Sequence, residues 1–283
     1  MPLPIPLPIR VTRRLAMLLL AVAAAAPAHA REEPAKEGVS VGKTSAFTKL
    51  VPAEQVEKGA AQQYRQMMQQ AAQQNALAGP DHPQVQRLRA IAKKILPFAA
   101  QWNPRAAQWQ WEVNLIGSKQ INAFCMPGGK IAFYSGILDG LKLTDDEVAM
   151  VMGHEIAHAL REHARERMGK SAATNIGANV ISSVLGLGNT GNAVLGASAN
   201  LLTLKFSRDD ETEADSVGLE LAARAGYDPR AGITLWRKMQ QASKGAPPQW
   251  FSTHPASDTR VKDIERQLPQ VLPLYQRASG KSS

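Results

Sequence analysis

Thr144-Asp145-Asp146-Glu147-Val148-Ala149-Met150-Val151-Met152-Gly153-His154-Glu155-Ile156-Ala157-His158 is the stretch on which the reading of this chain turns. Thr144 is a good helix N-cap, and Glu147, three residues on, completes a capping box ahead of the apolar Val148, Ala149, Val151 and Met152. The pattern predicts a helix. On a helix, residues four apart lie about 40° from one another and one turn up, so His154 and His158 point to one side and suit one zinc ion, with Glu155 beside them. In metal-assisted hydrolysis a glutamate so placed takes the proton of a water and delivers it to the leaving amine.

A catalytic zinc takes three protein ligands, and the sequence limits the third. A histidine ten residues after His154 would mark the metzincin class, but Ala164 stands there, with Arg161 in place of that class's glycine. His163 lies about 180° round a continuing helix from His154 and reads as solvated or as lying in a layer behind the ligands. Glu162 and Glu166 rise too far along the same helix. The better candidate is in Asp209-Asp210-Glu211-Thr212-Glu213-Ala214-Asp215. A helix from about Arg208 places Glu211 to ligate the metal and Asp215, one turn on, to accept from a ligating imidazole. An acidic helix start is also what the helix dipole alone favours.

Outward from these segments, Ala53 to Ala78 and Pro83 to Leu96 read as helices, the second with Val85, Leu88, Ile91 and Ile95 on one stripe. Gln108 to Leu115 alternates apolar and polar residues and predicts a strand. Gln120 to Met126 and Lys130 to Tyr134, joined by Pro127-Gly128-Gly129, read as a hairpin completing a small antiparallel sheet. The fold class is therefore mainly α with a small antiparallel β-sheet (α+β).

The first thirty residues read as an address. Arg10, Arg13 and Arg14 precede the apolar Leu15 to Ala26, and Ala28-His29-Ala30 offers a small-x-small cleavage pattern. The expected layout is a signal peptide over 1–30, a flexible lead-in over 31–51, a zinc peptidase domain over 52–273 and a flexible tail over 274–283. No cysteine follows the apolar run, which argues against a lipid anchor and leaves the periplasm as the expected location. Cys125 is the single cysteine of 283 residues, so no internal disulfide forms and a metal is the available tie. Ser171 to Leu204 carries no charge, but its asparagines and glycines break it too often for a spanning helix; it reads as a helical hairpin that is buried or touches a membrane surface. Removing three arginines from the net charge of +9 leaves +6, spread through the chain, which does not mark a nucleic-acid partner.

His154-Glu155-Ile156-Ala157-His158, followed some fifty residues later by Ser207-Arg208 and Glu211-x-x-x-Asp215, resembles the HtpX and CAAX-prenyl-protease family of zinc metallopeptidases, in particular its soluble, exported bacterial members. Asn122-Ala123-Phe124 with Pro127-Gly128-Gly129 is similar to that family's edge-strand segment, and Ser252-Thr253-His254-Pro255 with Arg260-Val261 to its C-terminal signature. The resemblance runs from about Gln55 to Leu268. It implies a gluzincin fold, one zinc held by His154, His158 and Glu211, Glu155 as general base, and endopeptidase activity on unfolded or misassembled envelope proteins. Cys125 departs from the small apolar residue that similar sequences carry.

The remaining motif residues have two readings each. An exposed strand at Asn122, Ala123 and Phe124 would pair with an extended substrate backbone, or Asn122 only caps a turn. His254 donates to the developing oxyanion, approaches the zinc when no substrate is present, or is a surface loop residue. Arg260 is expected to hold that segment through a carboxylate such as Asp215. The alternative to a protease is a zinc-stabilised chaperone or assembly factor with latent peptidase activity.

Overall fold

The computed structural model describes residues 37–174, 201–243, 248–255 and 259–280. The expected signal segment and residues 175–200 of the uncharged stretch lie outside them. The described elements are α1 (Ala53–Gln73), α2 (Pro83–Ile95), β1 (Glu112–Ile116), β2 (Ala123–Met126), β3 (Lys130–Tyr134), α3 (Ser135–Gly140), α4 (Asp145–Leu160), α5 (His163–Thr174), α6 (Arg208–Arg224), α7 (Ala231–Ala242) and α8 (Arg260–Ser279). No helix among the described residues is long and apolar enough to cross a membrane.

Two helices are set by side-chain caps that the sequence displays. Thr144 and Glu147 form a complete capping box on α4, and Ser207 and Asp210 form another on α6. Each cap satisfies backbone N–H groups that would otherwise lack partners and fixes where the turn count begins. The helices cross at Gly153 and Gly218. A Cβ on Gly153 would lie 2.6 Å from the Gly218 carbonyl, and one on Gly218 would lie 2.6 Å from the His154 amide. Two facing glycines thus let the backbones touch at the turn that carries His154.

The mainly helical architecture is as expected, and the sheet is mixed instead of antiparallel throughout. Strand order is β1-β3-β2, with β2 antiparallel to β3 and β1 parallel to β3. Strand direction alternates along the chain, but β3 inserts between its two predecessors, so β1 meets a parallel neighbour. Gly128 and Gly129, at φ 84° and 81°, make the tight β2–β3 turn that glycine tolerates without Cβ strain. The first strand starts four residues later than the alternation predicts, because Pro104–Gln108 forms a 3₁₀ turn capped by Asn103.

Alternation works across the sheet in space. Leu115, Cys125, Ile131 and Phe133 pack into the core shared by α2, α4, α6, α7 and α8, while Ile116, Phe124, Met126 and Ala132 pack with Val56, Ala60, Tyr64 and Met68 of α1. Burying the two clusters on either side of the sheet supplies most of the drive to fold. Cys125 is buried as a small hydrophobe, and desolvation pushes its thiol well up.

Both chain margins contribute more than the sequence reading allowed. In the expected lead-in, Val39 and Val51 are buried, and the Val39 amide donates to the buried Glu220 carboxylate at 2.7 Å. At the other end α8 runs on to Ser279, with Leu274 and Tyr275 buried, so the chain beyond residue 273 is helical and packed up to that point.

Candidate metal centre

The crossing of α4 and α6 brings His154, His158 and Glu211 together, and the segment 248–255 adds His254. One donor atom from each of these four buried side chains lies within 4.8 Å of the others. His154 Nε2 is 3.0 Å from His158 Nε2 and 3.4 Å from His254 Nδ1. Glu211 Oε1 lies 3.4 Å from His158 Nε2 and 3.0 Å from His254 Nδ1, and Glu211 Oε2 lies 3.6 Å from His154 Nε2. Donors around a tetrahedral zinc with bonds of about 2.0–2.1 Å stand roughly 3.3 Å apart. The spacing and the donor set, three imidazoles and one carboxylate, fit one zinc ion.

The protonation pattern of His154, His158 and Glu211 points the same way. His154 Nδ1 lies 2.9 Å from Asp215 Oδ1, so this nitrogen donates to the carboxylate and Nε2 presents a lone pair to the cluster. Burial holds the His158 imidazole well below its ordinary value and hence neutral, as a ligand must be. Burial alone would raise the Glu211 carboxyl, but His254 and His158 beside it hold it far below the usual range. For His254, Glu155 and Glu211 outweigh burial and raise the imidazole.

Asp215 is fixed in turn by Arg260. The guanidinium Nε donates to Asp215 Oδ2 at 2.6 Å, Nη2 donates to Asp215 Oδ1, and Nη1 donates to Glu211 Oε2 at 2.6 Å. Burial would raise the Asp215 carboxyl, and Arg260 overrides it and keeps the group anionic. The expected pairing of Arg260 with a carboxylate is therefore present, and it reaches Glu211 as well.

Glu155 faces the same space from the next position on α4. Its Oε1 accepts from the Trp250 indole N–H at 2.7 Å and lies 3.7 Å from His254 Nε2. Trp250 also stacks on the His254 ring, and Trp236 lies under the Arg260 guanidinium, 3.7 Å from ring centroid to Cζ. Sequence reasoning passed over both tryptophans. The available signal was the position of Trp250 one turn before His254.

Asn122, Ala123 and Phe124 line a cleft together with Glu155, His158, Phe206 and His254. β2 is an edge strand of the sheet, but its four residues are buried instead of exposed as expected, because the strand is packed between α1 and α4, and the Trp250 amide bonds the Ile121 carbonyl at its start. The Asn122 side chain accepts from the Ala123 amide at 3.0 Å, the local bond of a turn residue, while its carbonyl accepts from Tyr134.

His163 takes the second of its two expected readings, a layer behind the ligands, but by a different geometry from the one expected. It is fully buried behind His158, with Nδ1 of each ring 2.9 Å from the other. The expected 180° displacement assumed an unbroken helix. α4 stops at Leu160, Glu162 takes a left-handed φ of 60°, and α5 starts a new direction at His163. Glu162 and Glu166 pair with Arg165 and Lys170, away from the cluster.

Residues 82–268 match the model of Peptidase family M48. The chain is 40% identical over 172 residues to the mitochondrial metalloendopeptidase OMA1 of Arabidopsis thaliana, covering 60% of this chain and 34% of that one. It is 32% identical over 153 residues to the metalloprotease LoiP of Escherichia coli strain K12, covering 53% and 60%. It is 28% identical over 185 residues to the beta-barrel assembly-enhancing protease of Yersinia pestis, covering 60% and 37%. The chain thus spans between about a third and three fifths of the length of these relatives. With the matched region enclosing both metal-site helices, all three sheet strands and the start of α8, the chain belongs to Peptidase family M48, whose metallopeptidases use zinc.

Proposed function

We propose that the chain is a zinc-dependent endopeptidase that lays an extended polypeptide along β2 and hydrolyses it beside Glu155. The observation that carries the reading is the buried set His154, His158, Glu211 and His254 with Glu155 next to it, opening on a cleft bordered by an edge strand. Bound zinc supplies Lewis acidity toward the peptide carbonyl and acidifies water.

The chain's own groups do the rest. The outer edge of β2 binds the substrate main chain by strand addition, which selects unfolded segments over folded ones. Glu155, oriented by the Trp250 indole, removes a proton from water and returns it to the leaving nitrogen. Asp215 and Arg260 hold His154 and Glu211 in place. His254 sits among the donors in the resting arrangement, and substrate entry displaces it. Once displaced, its ring is within reach to donate toward the developing oxyanion.

The finer assignment is to the soluble, exported branch related to the HtpX and CAAX-prenyl proteases, acting in the periplasm on unfolded or misassembled envelope proteins. The signal-like first thirty residues support export, and the name of the Yersinia relative supports a link to beta-barrel assembly. Membrane-surface contact through Ser171 to Leu204 belongs to the same proposal. Cell fractionation tests the location. A second reading, a chaperone or assembly factor with latent peptidase activity, draws on the position of His254 within the cluster.

Casein degradation by the purified protein, with and without a chelator and with zinc content measured alongside, separates the two. Glu155→Gln is expected to keep stoichiometric zinc and lose about 10²–10⁴-fold in turnover, while Glu211→Ala releases the metal. Turnover retained in Glu155→Gln would sink the mechanism, and zinc retained in Glu211→Ala would move the third ligand elsewhere.

A further inference from the structure

We infer that His163, backed by Glu213, is a positioning residue that fixes the tautomer and ring plane of His158; the inference rests on the reading of His158 as a zinc ligand. His163 is fully buried, and its two nitrogens are engaged in line: Nδ1 at 2.9 Å from His158 Nδ1, Nε2 at 2.9 Å from Glu213 Oε2. The other oxygen of Glu213 pairs with Arg161 Nη2 at 2.7 Å, which leaves the carboxylate an acceptor on both sides.

The proton pattern then has one solution with neutral rings. Glu213 accepts from His163 Nε2–H, so His163 Nδ1 carries a lone pair. Two ring nitrogens 2.9 Å apart need a proton between them, and His158 Nδ1 must supply it. Nε2 of His158 is thereby left without a proton, facing the other donors 3.0 Å from His154 Nε2. The opposite arrangement, His163 donating to His158 Nδ1, would place a proton on His158 Nε2 and disable it as a ligand. Phe206 stacks on His158 with centroids 4.0 Å apart, and the bond from His158 Nδ1 to His163 adds a second restraint on rotation about the His158 Cβ–Cγ bond.

The test joins spectroscopy with zinc affinity. Long-range proton–nitrogen spectra of the zinc-loaded wild type are expected to show His158 protonated on Nδ1 and His163 on Nε2; the reverse pattern overturns the inference whatever any variant does. By chelator competition, His163→Phe is expected to bind zinc about 10–100-fold more weakly. His163→Asn, whose side-chain oxygen replaces the accepting nitrogen, should recover affinity to within about threefold of wild type on the same reasoning. A folded His163→Phe with wild-type zinc affinity also overturns it. If His163→Phe does not fold, Glu213→Gln and the wild-type spectra decide: about a tenfold loss in Glu213→Gln supports the relay, and unchanged affinity counts against it. A wild type that takes up no stoichiometric zinc would instead refute the metal-site reading, an outcome visible before any His163 variant is made.

Discussion

Two histidines of the metal centre, His154 and His158, stand one turn apart on α4, yet they are held by different means. His154 leans on Asp215, a carboxylate of the facing helix that Arg260 clamps with a fully buried guanidinium. His158 leans on another histidine, and its carboxylate, Glu213, lies one step further out with 22% of its side chain exposed. The first support is a charge network sealed from water. The second reaches water at Glu213, which also pairs with the buried Arg161, itself bonded to the Gly42 carbonyl of the N-terminal segment. Burial decides how much each is worth, because an uncompensated charge costs far more in the interior than at a wet margin.

The largest expected effect tests that contrast directly. Arg260→Met leaves Asp215 and Glu211 buried without their cation and should destabilise the zinc-free protein by about 3–5 kcal/mol in chemical denaturation. Arg161→Met, whose partner Glu213 keeps 22% of its side chain in contact with water, should cost only about 1 kcal/mol. Equal losses would break the distinction between the two supports.

Next comes the crossing that both sides share. Gly218→Ala puts a Cβ against the His154 backbone and should cost about 1–3 kcal/mol, with weakened zinc binding in a dialysis assay. Gly232→Ala serves as the control, since its Cβ would meet Ile264 side-chain atoms at an ordinary 3.5 Å. A neutral Gly218→Ala would mean that the helices separate without disturbing the donors.

The smallest effect lies at the far end of α4. Burial raises the Glu147 carboxyl, but bonds from Lys238, the Thr144 amide and Thr234 outweigh it, so the group titrates below its ordinary value. A depressed carboxyl contributes stability that is complete above the unfolded-state value and lost as pH falls through the folded one. Lys238→Met should therefore lose under about 1 kcal/mol at neutral pH and show a shallower decline on acidification, measured by thermal melts between pH 6 and 3. An unchanged acid profile would show that Glu147 is not among the groups that set it.

Legibility followed the range of the interactions. The capping box at Thr144, the helix start near Arg208 and the one-turn spacings of His154 with His158 and of Glu211 with Asp215 are local, and all appear where the sequence puts them. The link from Arg260 to Asp215 was also readable, since a buried arginine needs a carboxylate. Trp250, Trp236 and His163 were not. Each acts through partners between five and ninety-five positions away, and nothing local separates a tryptophan that orients Glu155 from one that fills a core. The sheet differed in strand order for the same reason: alternation tells which face a residue takes and is silent on which strand lies beside it.

By itself the sequence determined the chemistry at hand: two imidazoles and a carboxylate base on one helix, an acidic turn on another, and caps that start both helices in phase. Helical geometry is a short-range property of the backbone, so spacing alone suffices for it. Tertiary structure decided what those groups do to one another. The glycine crossing brings α6 against α4, the left-handed Glu162 turns His163 back behind His158, and the 248–255 segment adds His254 to the donors. Close approach of backbones, the ending of a helix and the packing of a distant segment depend on the whole chain's burial, and that is where the sequence ceases to be readable residue by residue.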